Sequence, residues 1–264
     1  MIPVTIFAGR DVAVLGLGVS GLAVARSLKA GGANPILWDD KEAARDEAAG
    51  QGFTVRDLSE ADWSGFAALM LAPGIPLTHP APHWSVIRAR AAGVEVIGDI
   101  ELFSRQRAGA TTPGKVLVIT GTNGKSTTTA LTAHVLDSAG RRVALGGNIG
   151  KAVLDLEPFA DDITYVIELS SFQIELAPSI APDAAALINI TPDHLDRHGT
   201  LHDYARIKSA VFAHLSPGGT AVIGIDDAPS RAMADSLKGA FAVKRVSVGQ
   251  AVDTGVCAKD GVLH

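Results

Sequence analysis

Short apolar runs alternate with segments of helical composition along the first part of the chain. Strands are predicted at residues 11–15, 35–38, 67–71 and 94–97, and helices at residues 22–30, 42–50, 84–92 and 99–107. A repeated strand-then-helix pattern is typical of an α/β fold, in which parallel strands are joined by right-handed crossovers. We therefore expect a Rossmann-like parallel sheet in this half.

The same alternation continues in the second half. Strands are predicted at residues 116–119, 143–145, 164–169, 184–190 and 220–225, and helices at residues 126–139 and 202–215. Residues 170–173 are predicted as a polar turn, with a short helix beginning at Glu175. Gly, Ala, Thr and Pro are frequent at residues 106–114, which indicates a linker. We therefore place a first domain at 1–108 and a second, P-loop-type α/β domain at 109–264.

A Gly-rich turn with a lysine lies between the strand at 116–119 and the helix at 126–139. Its residues are Gly121, Thr122, Asn123, Gly124, Lys125, Ser126 and Thr127. Such a turn points backbone N–H groups and a helix N-terminus at one spot, where a phosphate is stabilised. Lys125 can reach the outer phosphates, and the hydroxyl of Ser126 or Thr127 suits Mg²⁺. Ile119 holds the place of the usual first glycine, so the loop is shortened. The alternative is an ordinary strand-to-helix turn.

A second Gly-rich turn, Gly-Leu-Gly-Val-Ser-Gly at residues 16–21, follows the first strand. This G-x-G-x-x-G pattern is typical of dinucleotide binding, and an acid at the end of the next strand usually meets a ribose hydroxyl. Asp39 and Asp40 occupy that strand end. Alone, this half predicts an NAD-binding domain, although the same fold holds other nucleotides. Asp39 could instead be a solvated acid.

Polar residues follow several strands of the second half. Asn148 lies in a Gly-rich turn, where it offers both a donor and an acceptor, or is a plain turn residue. Glu168 comes near the carboxyl end of a buried strand, and an acid there beside a phosphate loop can hold Mg²⁺. The loop at 191–199 combines two acids, two histidines and one arginine. On chemistry alone, Lys208 is expected to be a surface lysine.

Composition restricts the class of protein. The 264 residues are 47% apolar and 19% charged, which suits a globular α/β protein. The net charge of −5 does not indicate nucleic acid or an anionic membrane as a partner. A single cysteine, no secretory start and no long apolar run favour a cytoplasmic protein.

Seven motifs occur in a specific order between Gly16 and Lys208, namely GLGVSGLA, LAPGI, GTNGKST, GGNIG, IELSSFQIE, NITPDHLDRHG and YARIK. Together they resemble the Mur ligase family of peptidoglycan synthesis, and within it the members that attach D-glutamate to UDP-N-acetylmuramoyl-L-alanine. The resemblance implies an ATP-dependent amide ligase. In this family ATP phosphorylates the substrate carboxylate to an acyl phosphate, which the amine then attacks.

The resemblance also implies roles for individual residues. Residues 121–127 would hold ATP, while Ser126, Thr127, Glu168, His194 and a carbamylated Lys208 would hold Mg²⁺, with two ions expected. The catalytic residues would be Lys125, Glu168, His194 and Lys208. The substrate would be bound by Val19, Ser20, Asp39, Asp40, Gly74, Asn148, Ser170 and Gln173, with UDP in the first domain in place of NAD. Asp40 stands where such ligases often have a hydroxyl residue.

The family has a third, C-terminal domain that supplies much of the amino-acid site. We therefore expect this chain to be a fragment that lacks that domain, is monomeric and does not turn over alone. Two alternatives stay open from the sequence. One is a regulatory module that senses NAD or UDP-sugar, and the other is a different ATP-dependent amide ligase of the Mur or folylpolyglutamate type.

Overall fold

The computed structural model describes residues 1–259 and 261–264, which form two compact units. The first unit contains Met1–Pro113 together with two later segments, Lys151–Phe159 and Glu175–Ser179. The second unit contains Gly114–Gly150, Ala160–Ile174 and Ile180–His264. The chain therefore returns to the first unit twice after it has begun the second.

The first unit is built on a five-stranded sheet whose paired strands are all parallel. Its strands and helices are β1 (Asp11–Leu15), α1 (Val19–Ala30), β2 (Asn34–Trp38), α2 (Glu42–Gly50), β3 (Thr54–Val55), β4 (Ala68–Leu71), α3 (Trp84–Ala91), β5 (Glu95–Ile97) and α4 (Asp99–Ala108). The strand order is β3-β2-β1-β4-β5, so the order reverses beside β1. Ligands of open α/β sheets bind at such a switch point, outside the carboxyl ends of the strands.

The later segments complete the core of the first unit. Leu176 is buried in the cluster that contains Trp63 and Phe66. The N–H of Ile2 donates to the carbonyl of Leu154 at 2.7 Å. The unit thus takes core contacts and backbone hydrogen bonds from residues far along the sequence.

The second unit contains an eight-stranded sheet of order β13-β12-β11-β10-β9-β6-β8-β7. Its elements are β6 (Lys115–Thr120), α5 (Lys125–Ser138), β7 (Arg142–Gly147), β8 (Ile163–Glu168), α6 (Ser171–Glu175), β9 (Ala184–Leu187), α7 (Leu195–His198), α8 (Leu201–Ser209), β10 (Thr220–Gly224), α9 (Ala228–Ser236), β11 (Ala242–Ser247), β12 (Gly255–Lys259) and β13 (Val262–Leu263). Strand β6 is central and pairs in parallel with β8 and β9. The carboxyl ends of these three strands therefore meet at one edge.

The α/β prediction is confirmed, and the predicted strands are present with shifts of a few residues. Four details differ. Helix α6 spans Ser171–Glu175, so the polar turn predicted at 170–173 is wrong and Glu175 ends the helix. Helix α7 lies inside the predicted loop, and α8 ends at Ser209 before a 3₁₀ turn. Helix α9 was not predicted, although Asp227 caps it by accepting from the Ser230 N–H. Within the described residues, no helix is long and apolar enough to cross a bilayer.

Candidate active site

The phosphate loop lies between β6 and α5. Gly124 is the N-cap of α5 and has φ +82°, a left-handed conformation that glycine adopts without strain. The ammonium of Lys125 donates to the carbonyl of Thr122 at 2.8 Å, so the lysine folds back over its own loop. Because the first N–H groups of a helix lack partners within it, the start of α5 offers donors and a positive dipole end.

Glu168 lies beside this loop at the end of β8, where it pairs in register with Ile119 of β6. Its side chain is 1% exposed. One carboxylate oxygen, Oε1, accepts from the Asn148 amide at 2.8 Å. The other, Oε2, is buried and has no hydrogen-bond partner in the described part of the chain. A buried carboxylate oxygen without a donor is costly, and a cation that it could coordinate would remove that cost. Glu168 is therefore suited to the role of a metal ligand.

His194 lies in the loop after β9 and has φ 51°, which is unusual for a residue other than glycine. Its ring is half-exposed and packs at 5.0 Å from the ring of Phe172. The loop is joined to the phosphate loop through Thr191, whose N–H donates to the Thr122 hydroxyl at 3.0 Å. His194 is thus presented from a constrained loop that is bonded to the phosphate loop.

Lys208 is 1% exposed, so the expectation of a surface lysine from chemistry alone is wrong. Its ammonium donates to the carbonyl of Gly121 at 2.8 Å and lies 4.6 Å from the Tyr204 ring centre. Burial, and then the nearby charge of Lys125, lower the pKa of Lys208 to about 7. A fraction of this amine is consequently neutral, and hence nucleophilic, near neutral pH.

Two predicted substrate residues, Ser170 and Gln173, bond to one another. The Ser170 N–H and hydroxyl both donate to Gln173 Oε1 at 3.1 Å. Asn148 is joined to Glu168 as described above. The structure thus joins Asn148 to the predicted metal site and pairs Ser170 with Gln173 in the segment just after Glu168.

The remaining predicted residues belong to the first unit. Asp39 accepts from the Leu17 N–H at 2.7 Å and from the Lys41 N–H at 2.9 Å, so its carboxylate holds the Gly-rich turn in place. Asp40 contacts His83 Nε2 at 3.2 Å. Val19 and Ser20 open α1, and Gly74 follows β4. A Cβ at Gly21 would lie 1.8 Å from the Gly16 carbonyl oxygen, which explains the last glycine of the motif.

His198 lies in the site, although no role was predicted for it from the sequence. It is 3% exposed, accepts from or donates to the Ser171 hydroxyl at 2.9 Å, and stacks on the rings of Phe172 and Tyr204 at 5.0 and 5.5 Å. Burial lowers its pKa to about 4. Asn189 was also missed, and its contacts with the phosphate loop are given below. A histidine in a charged loop gives no sign of burial, which only the tertiary contacts reveal.

The buried His198 should make stability depend on pH. Its pKa of about 4 lies below the ordinary 6.5, so the unfolded chain binds the proton more readily in that interval. Stability should therefore fall as pH decreases through 6.5 toward 4. The test is to measure the free energy of unfolding by urea titration at pH ~7 and at pH ~5. The decrease between these two pH values should be about 1–2 kcal/mol smaller in His198→Phe than in the unsubstituted protein. Equal losses in both proteins would contradict this assignment.

Metal-binding side chains are sparse around the site. Among residues 1–259 and 261–264, no group of three or more His, Cys, Asp or Glu residues is placed to hold a metal ion. The predicted ligand set contains only Glu168 and His194 of these types, with hydroxyls and Lys208 as its other members. The assignments of metal, nucleotide and substrate residues stay predictions.

Comparison with family models gives two matches. The Mur ligase middle domain matches residues 119–258, and the Mur ligase MurD-like N-terminal domain matches residues 10–98. The first match contains the phosphate loop from Gly121 onward, Glu168, His194 and Lys208. The second contains the Gly-rich turn and Asp39.

Similar proteins carry related names. A UDP-N-acetylmuramoylalanine--D-glutamate ligase of Caulobacter vibrioides strain NA1000 / CB15N is 53% identical over 268 residues, which covers 100% of this chain and 57% of the relative. The protein of the same name from Nitrobacter hamburgensis is 55% identical over 97% of this chain and 55% of its own length. The chain thus spans little more than half the length of these curated relatives.

One solved structure illustrates the fold. The UDP-N-acetylmuramate:L-alanyl-gamma-D-glutamyl-meso-diaminopimelate ligase from Neisseria meningitides aligns with a TM-score of 0.60 at 17% identity. The alignment covers 94% of this chain and 83% of that one. At this identity the likeness concerns the fold alone.

Proposed function

Because the chain belongs to the Mur ligase family, we propose that this protein is an ATP-dependent ligase that joins D-glutamate to UDP-N-acetylmuramoyl-L-alanine. The observation that carries the proposal is the buried Oε2 of Glu168, which has no hydrogen-bond partner among the described residues and lies at the strand end next to the phosphate loop. The D-glutamate and UDP-muramoyl-alanine specificity is supported by relatives named for that reaction.

The proposed reaction needs positioning and charge neutralisation more than covalent help from side chains. The terminal phosphoryl group of ATP passes to the alanyl carboxylate oxygen, giving an acyl phosphate and ADP. The amine of D-glutamate then attacks the acyl carbon, the amide C–N bond forms, and phosphate leaves as the amine loses its proton. In this proposal Lys125 and the N-terminus of α5 neutralise the phosphates.

Magnesium would be held by Glu168, His194 and the hydroxyl of Ser126 or Thr127, and two ions are proposed. Their chemistry, when bound, is to screen the negative charge of the phosphates and to polarise the transferred group. Oxygen-rich ligands suit this hard cation. The pairing of Asn148 with Oε1 of Glu168 leaves Oε2 as the oxygen available to metal.

Lys208 is proposed to carry a carbamate. The ammonium first loses one proton. The neutral amine then attacks carbon dioxide, an N–C bond forms and a second proton is released, so that the cation becomes an anion suited to magnesium. Support comes from its burial, its pKa of about 7 and its contact with the phosphate loop at Gly121. A protonated lysine there would repel both the metal and Lys125.

The carbamate can be detected directly. After incubation with ¹³C-labelled bicarbonate, the protein should give one carbamate resonance that disappears on acidification. Lys208→Met should lack it, whereas Lys244→Met, which alters an exposed lysine of β11, should keep it. A resonance that survives in Lys208→Met, or none in the unsubstituted protein, would overturn the proposed modification.

The first unit is proposed to bind the UDP group at the end of β1, through Val19, Ser20, Asp39, Asp40 and Gly74. Support comes from the switch of strand order beside β1 and from the glycine turn that Asp39 holds. Asn148, Ser170 and Gln173 are proposed to contact the muramoyl-alanine part. We also propose that the protein is cytoplasmic and monomeric.

The reaction is tested with the protein that the natural gene encodes. ADP release is measured with UDP-N-acetylmuramoyl-L-alanine and each of D-glutamate, L-glutamate, L-lysine and meso-diaminopimelate, and the ligated product is identified by mass spectrometry. Product with D-glutamate alone is the expected result. Product with another amino acid would favour the second candidate, a different ligase of the Mur or folylpolyglutamate type. Tight NAD binding without ADP release would favour a regulatory module.

A further inference from the structure

Asn189 follows β9 and places its side-chain amide against the tip of the phosphate loop. Its Oδ1 accepts from the Asn123 N–H at 2.9 Å and from the Thr122 N–H at 3.2 Å. Its Nδ2 donates to the Asn123 carbonyl at 3.2 Å. The Thr122 N–H is shared with the Asn189 carbonyl at 2.9 Å. One amide side chain thus meets both N–H groups of the loop tip.

These bonds change which donors the loop can offer. A phosphate loop binds its ligand through backbone N–H groups that point into the turn. Those of Thr122 and Asn123 are already engaged by Asn189. The donors that remain are those at the start of α5, where helix geometry leaves the first N–H groups without partners.

The residues around Asn189 are fixed as well. Thr191 donates its N–H to the Thr122 hydroxyl at 3.0 Å, and that hydroxyl donates to the Thr191 carbonyl at 3.2 Å. The N–H of Ile190 donates to Asp227 Oδ2 at 3.1 Å, and Asp227 also caps α9. Three consecutive residues, 189–191, are therefore bonded on both sides. This segment connects the phosphate loop to the N-terminus of α9 through hydrogen bonds.

We propose that Asn189 is a positioning residue that holds the phosphate loop in its binding shape before nucleotide arrives, and that the phosphates are held by the N–H groups of residues 124–127 and not by those of the tip. This inference rests on one part of the proposed function, namely that the loop binds the phosphates of a nucleotide. It adds a residue outside the Gly-Lys-Ser motif to the nucleotide site.

Two substitutions separate positioning from plain structural support. Asn189→Ala removes all the side-chain bonds to the tip. Asn189→Asp keeps an acceptor for both N–H groups but loses the donor to Asn123, and it adds a negative charge to the loop tip, next to the proposed phosphate site. A purely structural residue would lower thermal stability in either variant without changing the affinity of the folded protein for nucleotide.

The test is calorimetric titration of the chain with ADP in the presence of Mg²⁺, together with the melting temperature. Asn189→Ala should weaken ADP binding about tenfold, the scale of one or two lost hydrogen bonds. Asn189→Asp should weaken it further while its melting temperature stays near that of the unsubstituted protein. Asn34→Ala, which removes an exposed hydrogen bond to Asp11 in the first unit, should change neither the affinity for ADP nor the melting temperature.

The outcomes distinguish this inference from the proposed function. If the unsubstituted chain binds no ADP, the proposed nucleotide site itself fails. If it binds ADP and both Asn189 variants bind with unchanged affinity, the positioning role is wrong and the proposed function stands. If Asn189→Asp binds ADP as tightly as the unsubstituted chain, its carboxylate does not repel the phosphates, and the expected further loss in this variant is wrong. If Asn189→Ala binds ADP more tightly than the unsubstituted chain, the released N–H groups of Thr122 and Asn123 hold phosphate and the second half of the inference fails.

Discussion

In the protein that the natural gene encodes, Lys125→Met is expected to reduce kcat/KM for the proposed ligase reaction by at least about 100-fold. The substitution nearly keeps the length of the side chain and removes the only charged side chain among residues 121–127. In the present structure the ammonium is held by the Thr122 carbonyl at 2.8 Å, close enough to the loop to move onto a phosphate. Turnover is measured by product formation, and ADP affinity by calorimetry.

The control for this variant is Lys244→Met, which makes the same chemical change on an exposed position of β11. Its activity and ADP affinity should match those of the unsubstituted protein. The melting temperature of Lys125→Met should also change little, because the lysine contributes one bond at a partly exposed site. Turnover that persists at more than a tenth of the original rate would show that the loop does not hold the reacting phosphates.

In the protein that the natural gene encodes, Glu168→Gln is expected to reduce turnover in the proposed reaction by about 100-fold or more while leaving the protein at least as stable without metal. The amide keeps an oxygen for the Asn148 donor and removes a buried charge whose Oε2 has no partner in the described part of the chain. Removing such a charge relieves a desolvation cost. A substitution that lowers activity but raises stability indicates a side chain whose role is to bind a ligand, here the metal ion.

The measurement compares melting temperatures with and without Mg²⁺ and ADP. The unsubstituted protein should be stabilised by adding both, and Glu168→Gln should respond to them much less. Glu60→Gln, the same change on an exposed residue of the first unit, should behave like the unsubstituted protein. Equal stabilisation of Glu168→Gln by Mg²⁺ and ADP would remove Glu168 from the set of metal ligands.

Features that depend on neighbours in sequence could be predicted from the chain. The apolar runs of β1 and β6 are buried parallel strands, and each ends in a glycine turn that opens a helix. The position of Glu168 near the carboxyl end of its strand was predicted as well, and β8 pairs in parallel with β6, which leads into the phosphate loop. These inferences needed only periodicity and the geometry of a parallel sheet.

Features that depend on distant contacts could not be predicted. Lys208 is buried, and its ammonium donates to the carbonyl of Gly121, which lies 87 residues away in the sequence. Asn189 is the first residue of the motif NITPDHLDRHG, but its bond to the tip of the phosphate loop spans 66 residues and no local pattern predicts that contact. The short helix predicted to begin at Glu175 was placed too late, because Ser170 and Gln173 look like turn residues, yet they bond to each other at the start of α6. Local propensity gives way to tertiary context at such positions.

The return of the chain to the first unit has a practical consequence for dissecting the protein. A polypeptide cut after Pro113 would lose Leu176 from its apolar core and the Leu154 carbonyl that receives the Ile2 N–H. It would expose apolar surface and leave a backbone donor without its partner, so it should be prone to aggregate. A soluble version of the first unit for crystallography or screening has to contain all three of its stretches of chain. Truncation at one position cannot produce it.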